Sequence, residues 1–81
     1  MIMSFGTNLR NKRKKLGMTV EMVSKICETS RSYITLMENG KRLPSKKVLP
    51  KIAIALNLKT VVVLNWYLED VNQKMRSHLK I

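Results

Sequence analysis

The fold turns on the stretch TVEMVSKICETSRSYITLMENG, Thr19 to Gly40, which divides around Glu28 and Thr29. Before the division, Thr19 is placed to cap a helix with Val20, Val23 and Cys27 on one face, and Glu21 falls in the first turn, where the helix dipole favours an acid. After it, Ser30 caps a further helix that turns Ile34 and Met37 inward, and Asn39-Gly40 is a left-handed stop signal. The break of about three residues is in the range of connections between packed helices. Glu38 is the odd residue. It lies four after Ile34, so it shares the inward side, and a buried acid needs a partner.

That partner is sought upstream. Ser4 can cap a first helix whose apolar positions are Phe5, Leu9 and Leu16, ending at Gly17. Arg13 falls on the same stripe. Two inward-facing opposite charges on neighbouring helices are the most economical partners for one another, so a structural salt bridge Arg13–Glu38 is expected. The alternative is a solvated acid at a frayed helix end. Downstream, KRLPSKK reads as a basic loop, and Val48, Leu49, Ile52, Ala53, Ala55 and Leu56 as the apolar set of a fourth helix starting near Lys47 or Val48. Pro50 is tolerated there only in the first turn. After NLK a last segment runs from Thr60 to about Leu79. The β-branched run Val61 to Val63 leaves room for a strand, but Leu64, Leu68, Val71 and Met75 at spacings 4, 3, 4 argue for a helix.

Composition agrees with a single all-α domain: 81 residues, 44% apolar, with three Gly and two Pro. Sixteen Lys+Arg against five Asp+Glu leave a net charge of +11, which points to a polyanionic partner. The charge is uneven. Residues 1–51 hold twelve bases and three acids, and residues 52–81 hold four bases and two acids, so the binding face belongs to the first two thirds. No run is apolar enough to span a bilayer and MIMSFGTNLR lacks the core of a secretion signal, so a cytoplasmic protein without membrane partners is expected. Cys27 is a lone cysteine and reads as a buried, inert thiol. No paired carboxylates, no nucleophile with a base, no phosphate-cradling loop and no metal cluster stand out. Neither enzyme activity nor a cofactor or metal is expected. His78 has no neighbouring ligands and reads as a surface residue.

A short Ser-capped helix beginning with Arg31, joined by a tight turn to the helix before it in a strongly basic domain, is the sequence form of a helix-turn-helix. Its exposed side would carry Arg31, Ser32, Thr35 and Leu36 as base readers. The chain resembles the Xre family, the helix-turn-helix domain of lambdoid phage repressors and Cro proteins, over about residues 5–60. The carriers are LRNKRKKLGMT, SRSYI, ENGKRLPS and LPKIAIALNL in this order and spacing.

The resemblance implies a five-helix, repressor-like domain that binds duplex DNA, usually as a homodimer on a two-fold-related operator. By position, Arg31, Ser32 and Leu36 match base-facing residues, Asn39, Lys41 and Arg42 match phosphate contacts, and Arg13 matches the position that pairs with that of Glu38. Arg10 or Lys14 from RNKRKK, together with Tyr33, Lys46 and Lys47, are further phosphate candidates. A transcriptional repressor is the function expected, with a protein-binding module of antitoxin or antirepressor kind as the alternative.

Four departures from the family pattern stand out. Val20 replaces the usual Gln, which removes a polar contact to DNA. Glu28 stands where the turn often has Gly, Ser24 replaces a small Ala, and Met22 and Ile26 put an apolar pair on a face that is generally polar. The chain also runs on past the short fifth helix of the family. Residues 1–60 would then form the helix-turn-helix unit, and 61–81 an extended C-terminal helix that completes the core and dimerises through Leu64, Leu68, Val71 and Met75, with Leu79 on the same side.

Overall fold

The computed structural model describes residues 4–79, with side chains to residue 76. Five helices follow in chain order: α1 Phe5–Lys15, α2 Val20–Ile26, α3 Arg31–Glu38, α4 Val48–Ala55 and α5 Thr60–Leu79. No strand occurs among the described residues, and Val61 to Val63 are helical. The side chains of His78 and Leu79 lie outside the described residues. Each of the first three helices starts on its expected cap. Ser4 Oγ accepts from the Thr7 amide, Thr19 Oγ1 from Met22 and Ser30 Oγ from Tyr33, at 3.1 to 3.2 Å. These bonds satisfy amides that have no partner inside the helix. At α4 the turn does this work instead: Ser45 O accepts from both Val48 and Leu49, Lys47 makes no side-chain cap, and Pro50 sits third in the helix.

The first four helices also end alike. A residue with positive φ follows each one, at Gly17, Glu28, Gly40 and Asn57. The amides around it fold back on the last turn, as in Gly40 N–H to Met37 O and Lys41 N–H to Leu36 O. This is the Schellman arrangement. Glycine takes it freely, whereas Glu28 at φ 55° carries a strain of about 1 kcal/mol. The turn between α2 and α3 is therefore the ordinary left-handed one with a glutamate held in it, and Lys51 Nζ meets the Glu28 carboxylate at 3.0 Å on the surface.

Phe5, Leu9, Val23, Ile34, Met37, Ile52, Leu56 and Val63 are fully buried and form the core, with Trp66 and Tyr67 of α5 packed on it. Trp66 meets Phe5 edge-on at 6.3 Å. α1 packs on α3 and α5, α2 on α3 and α4, and α4 on α5. Cys27 is buried, and burial pushes its thiol up to about 11, so it stays protonated and inert at neutral pH. Leu16 is a correction. It is 42% exposed, because α1 stops at Lys15 and the left-handed turn at Gly17 ends the helical periodicity that would have carried Leu16 inward.

Candidate nucleic-acid interface

The inner side of α3 is fixed by a charged cluster. Arg13 on α1 grips Glu38 with two parallel bonds, Nε to Oε2 at 2.7 Å and Nη2 to Oε1 at 3.0 Å, while its Nη1 donates to Met18 O at 2.9 Å. Glu38 leaves only 4% of its side chain exposed and Arg13 only 11%. The bonds from Glu38 raise the Arg13 pKa further, keeping the guanidinium charged. Arg10 adds a second arginine, one turn earlier on α1. Its Nε lies 3.4 Å from Glu38 Oε1 and its Nη2 donates to Asn39 Oδ1 at 2.6 Å. The expected pair is thus a three-residue cluster, and the lone acid of this region faces two bases. Asn39, with its oxygen committed to Arg10, keeps its amide nitrogen without a partner among the described residues.

The opposite side of α3 is open. Arg31, Ser32, Thr35 and Leu36 are all exposed, as the spacing predicts. With Val20 they line a shallow depression where α2 begins. A second depression shares Ser32 and Leu36 and adds Tyr33 and Arg42. Tyr33 is half-buried: its hydroxyl accepts from the Ser45 amide at 3.0 Å and the Arg42 guanidinium lies 5.5 Å over its ring. Tyr33 therefore braces the basic loop against α3. Lys14, Lys41, Arg42, Lys46 and Lys47 are exposed, whereas Arg10 is partly engaged by Glu38 and Asn39.

Two helices meeting through a tight left-handed turn, the second exposing a polar and basic side, are matched by a family model described as Helix-turn-helix (HTH_3) over residues 9–63. The chain belongs to this Xre-like helix-turn-helix family. Among relatives of this helix-turn-helix protein, the ImmF control region 10 kDa protein of Bacillus phage phi105 is 40% identical over 53 residues, which span 65% of this chain and 59% of that protein. An HTH-type transcriptional regulator, YqaF of Bacillus subtilis (strain 168), is 33% identical over 72 residues, 89% of this chain and 90% of that one. Among solved structures, the restriction-modification controller protein C.AhdI from Aeromonas hydrophila superposes with a TM-score of 0.69 at 30% identity, covering 73% of this chain and 89% of the other. The clp gene regulator ClgR from Corynebacterium glutamicum gives 0.68 at 25% identity, covering 80% and 84%. Family membership makes this a helix-turn-helix transcriptional regulator and not an enzyme.

Two residues that shape the helix-turn-helix site carry no signal in the sequence. Gly6 lies where α1 crosses the end of α3: a Cβ there would come within 2.7 Å of Glu38 O and nearer still to Met37 O. Asp70 on α5 is buried and its Oδ2 accepts from the Phe5 amide at 2.8 Å, so a residue sixty-five positions away closes the start of α1. Both depend on which helices meet, which no local pattern reveals. Ser24 is accommodated simply, its hydroxyl donating to Glu21 O at 2.7 Å. No helix among the described residues is long and apolar enough to cross a membrane.

Proposed function

We propose that this regulator is a cytoplasmic repressor that binds an inverted-repeat operator in duplex DNA as a homodimer. The observation that supports this best is the two-sidedness of α3. Its inner side is anchored by Glu38 on two arginines, and its outer side presents Arg31, Ser32, Thr35 and Leu36 to solvent. A helix so held fits the major groove, where an arginine can reach O6 and N7 of guanine and a leucine can meet a thymine methyl. Lys14, Lys41, Arg42, Lys46 and Lys47, the Tyr33 hydroxyl and the free Asn39 amide nitrogen are the phosphate donors, with Arg10 orienting Asn39 and adding charge.

The outer side of α5 supports the dimer. Leu64, Leu68 and Met75 are exposed and Val71 is half-buried along α5. Pairing two copies there would set two recognition helices about 34 Å apart, one duplex turn. A control-region protein, a controller protein and a gene regulator among the similar proteins fit a protein that governs transcription.

The test is selection of bound duplexes from a random pool by the purified protein at near-physiological salt. An inverted repeat should be enriched. With about four phosphates neutralised per subunit, log K should fall against log salt with a slope of about −7. Tight, salt-sensitive binding without enrichment would sink the reading. It would favour instead a protein partner acting through Met22, Ile26 and α5, whose apolar side chains are exposed.

A further inference from the structure

Val20 opens α2, rests on the core with part of its surface, and spends the rest lining the depression it shares with Arg31, Ser32, Thr35 and Leu36. The lining is mostly apolar, although Arg31 is part of it and the chain as a whole carries a net charge of +11. A valine there has no hydrogen-bonding group, so it can neither hold a phosphate nor read a polar base edge. What it offers is two methyl groups, facing the same space as Leu36 and next to Arg31. The major groove presents one apolar group of matching size, the C5-methyl of thymine.

We propose that Val20 and Leu36 together form a methyl-reading site and that Val20 is a specificity-determining residue, selecting thymine at a base pair close to the one contacted by Arg31. The inference rests on the reading of α3 as the recognition helix. Charge draws the phosphates to the protein, and a shallow apolar depression beside Arg31 stays partly hydrated until a methyl group displaces that water. Because the depression has one wall on α2 and the other on α3, it also makes the preference sensitive to the angle between the two helices.

The experiment uses the enriched half-site, with each thymine replaced in turn by deoxyuridine, which deletes the methyl and leaves the pairing edge intact. For the unaltered protein, one such replacement should weaken binding about three- to fivefold, the scale of one methyl leaving water. In Val20→Ala, and in the near-isosteric Val20→Thr, that penalty should shrink toward unity. A far-ultraviolet circular dichroism spectrum and a cooperative melt matching those of the unaltered protein would show that the fold survives in each variant. A penalty of equal size in the unaltered protein and both variants overturns the assignment, as does an enriched half-site with no thymine or with no position sensitive to the methyl. Failure to enrich any sequence is a different result, because it removes the recognition-helix reading itself and this inference with it.

Discussion

The contact between α1 and α3 and the outer side of α5 differ in what the chain supplies to them. At the first, the buried charges have their answer within the molecule: Glu38 meets Arg13 and Arg10, Arg13 meets Met18 O, and Gly6 makes room for the end of α3. At the second, Leu64, Leu68 and Met75 face solvent with no described side chain over them. A buried charge left alone is costly, so the first region must be complete in a single copy. Exposed leucines cost far less, so the second can wait for something else to cover it. The difference separates what holds the fold from what is left available for association.

The comparison can be broken most directly at Glu38. Glu38→Gln keeps the shape but leaves Arg13 charged and buried, and should lower unfolding free energy by about 3 kcal/mol in urea titration. A loss below about 1 kcal/mol would mean that the pair is effectively solvated. Gly6→Ala should follow at about 2 kcal/mol, since the new methyl collides with backbone that cannot rotate away; thermal melting of the two proteins side by side checks it. Arg10→Met sharpens the first region internally. The side chain of Arg10 is 41% exposed, so its removal should cost less than about 1 kcal/mol while Arg13 keeps Glu38 satisfied. Smallest in stability is Leu68→Lys, expected to change unfolding by under about 0.5 kcal/mol. Sedimentation should nevertheless show this variant shifted toward monomer. A Leu68→Lys protein that unfolds easily, or that associates as before, would place the two regions in the same class.

What could be read from sequence follows the reach of each signal. Caps act over three residues, and Ser4, Thr19 and Ser30 are all found in the role their position implies. The pairing of Arg13 with Glu38 spans twenty-five residues, yet it was legible because each is a charge on an apolar stripe, and the family resemblance names the same two positions. Leu16 misled because a periodic pattern does not announce that the helix has already ended. The engagement of Arg10 with Asn39 was hidden behind a run of like charges, any of which looks equally free. Gly6 and Asp70 stayed silent for a different reason: a small residue and an acid become meaningful only once α3 and α5 lie against α1.

Asp70 has a consequence for the order in which the molecule comes into being. The first helix leaves the ribosome with its leading amide unmet, and the carboxylate that receives it belongs to a residue made sixty-five positions later, beside the tryptophan whose ring leans on Phe5. The opening of α1 therefore gains its partner only once α5 is in place, so a chain shortened before Asp70 would keep the grip of Arg13 on Glu38 while leaving the Phe5 amide open.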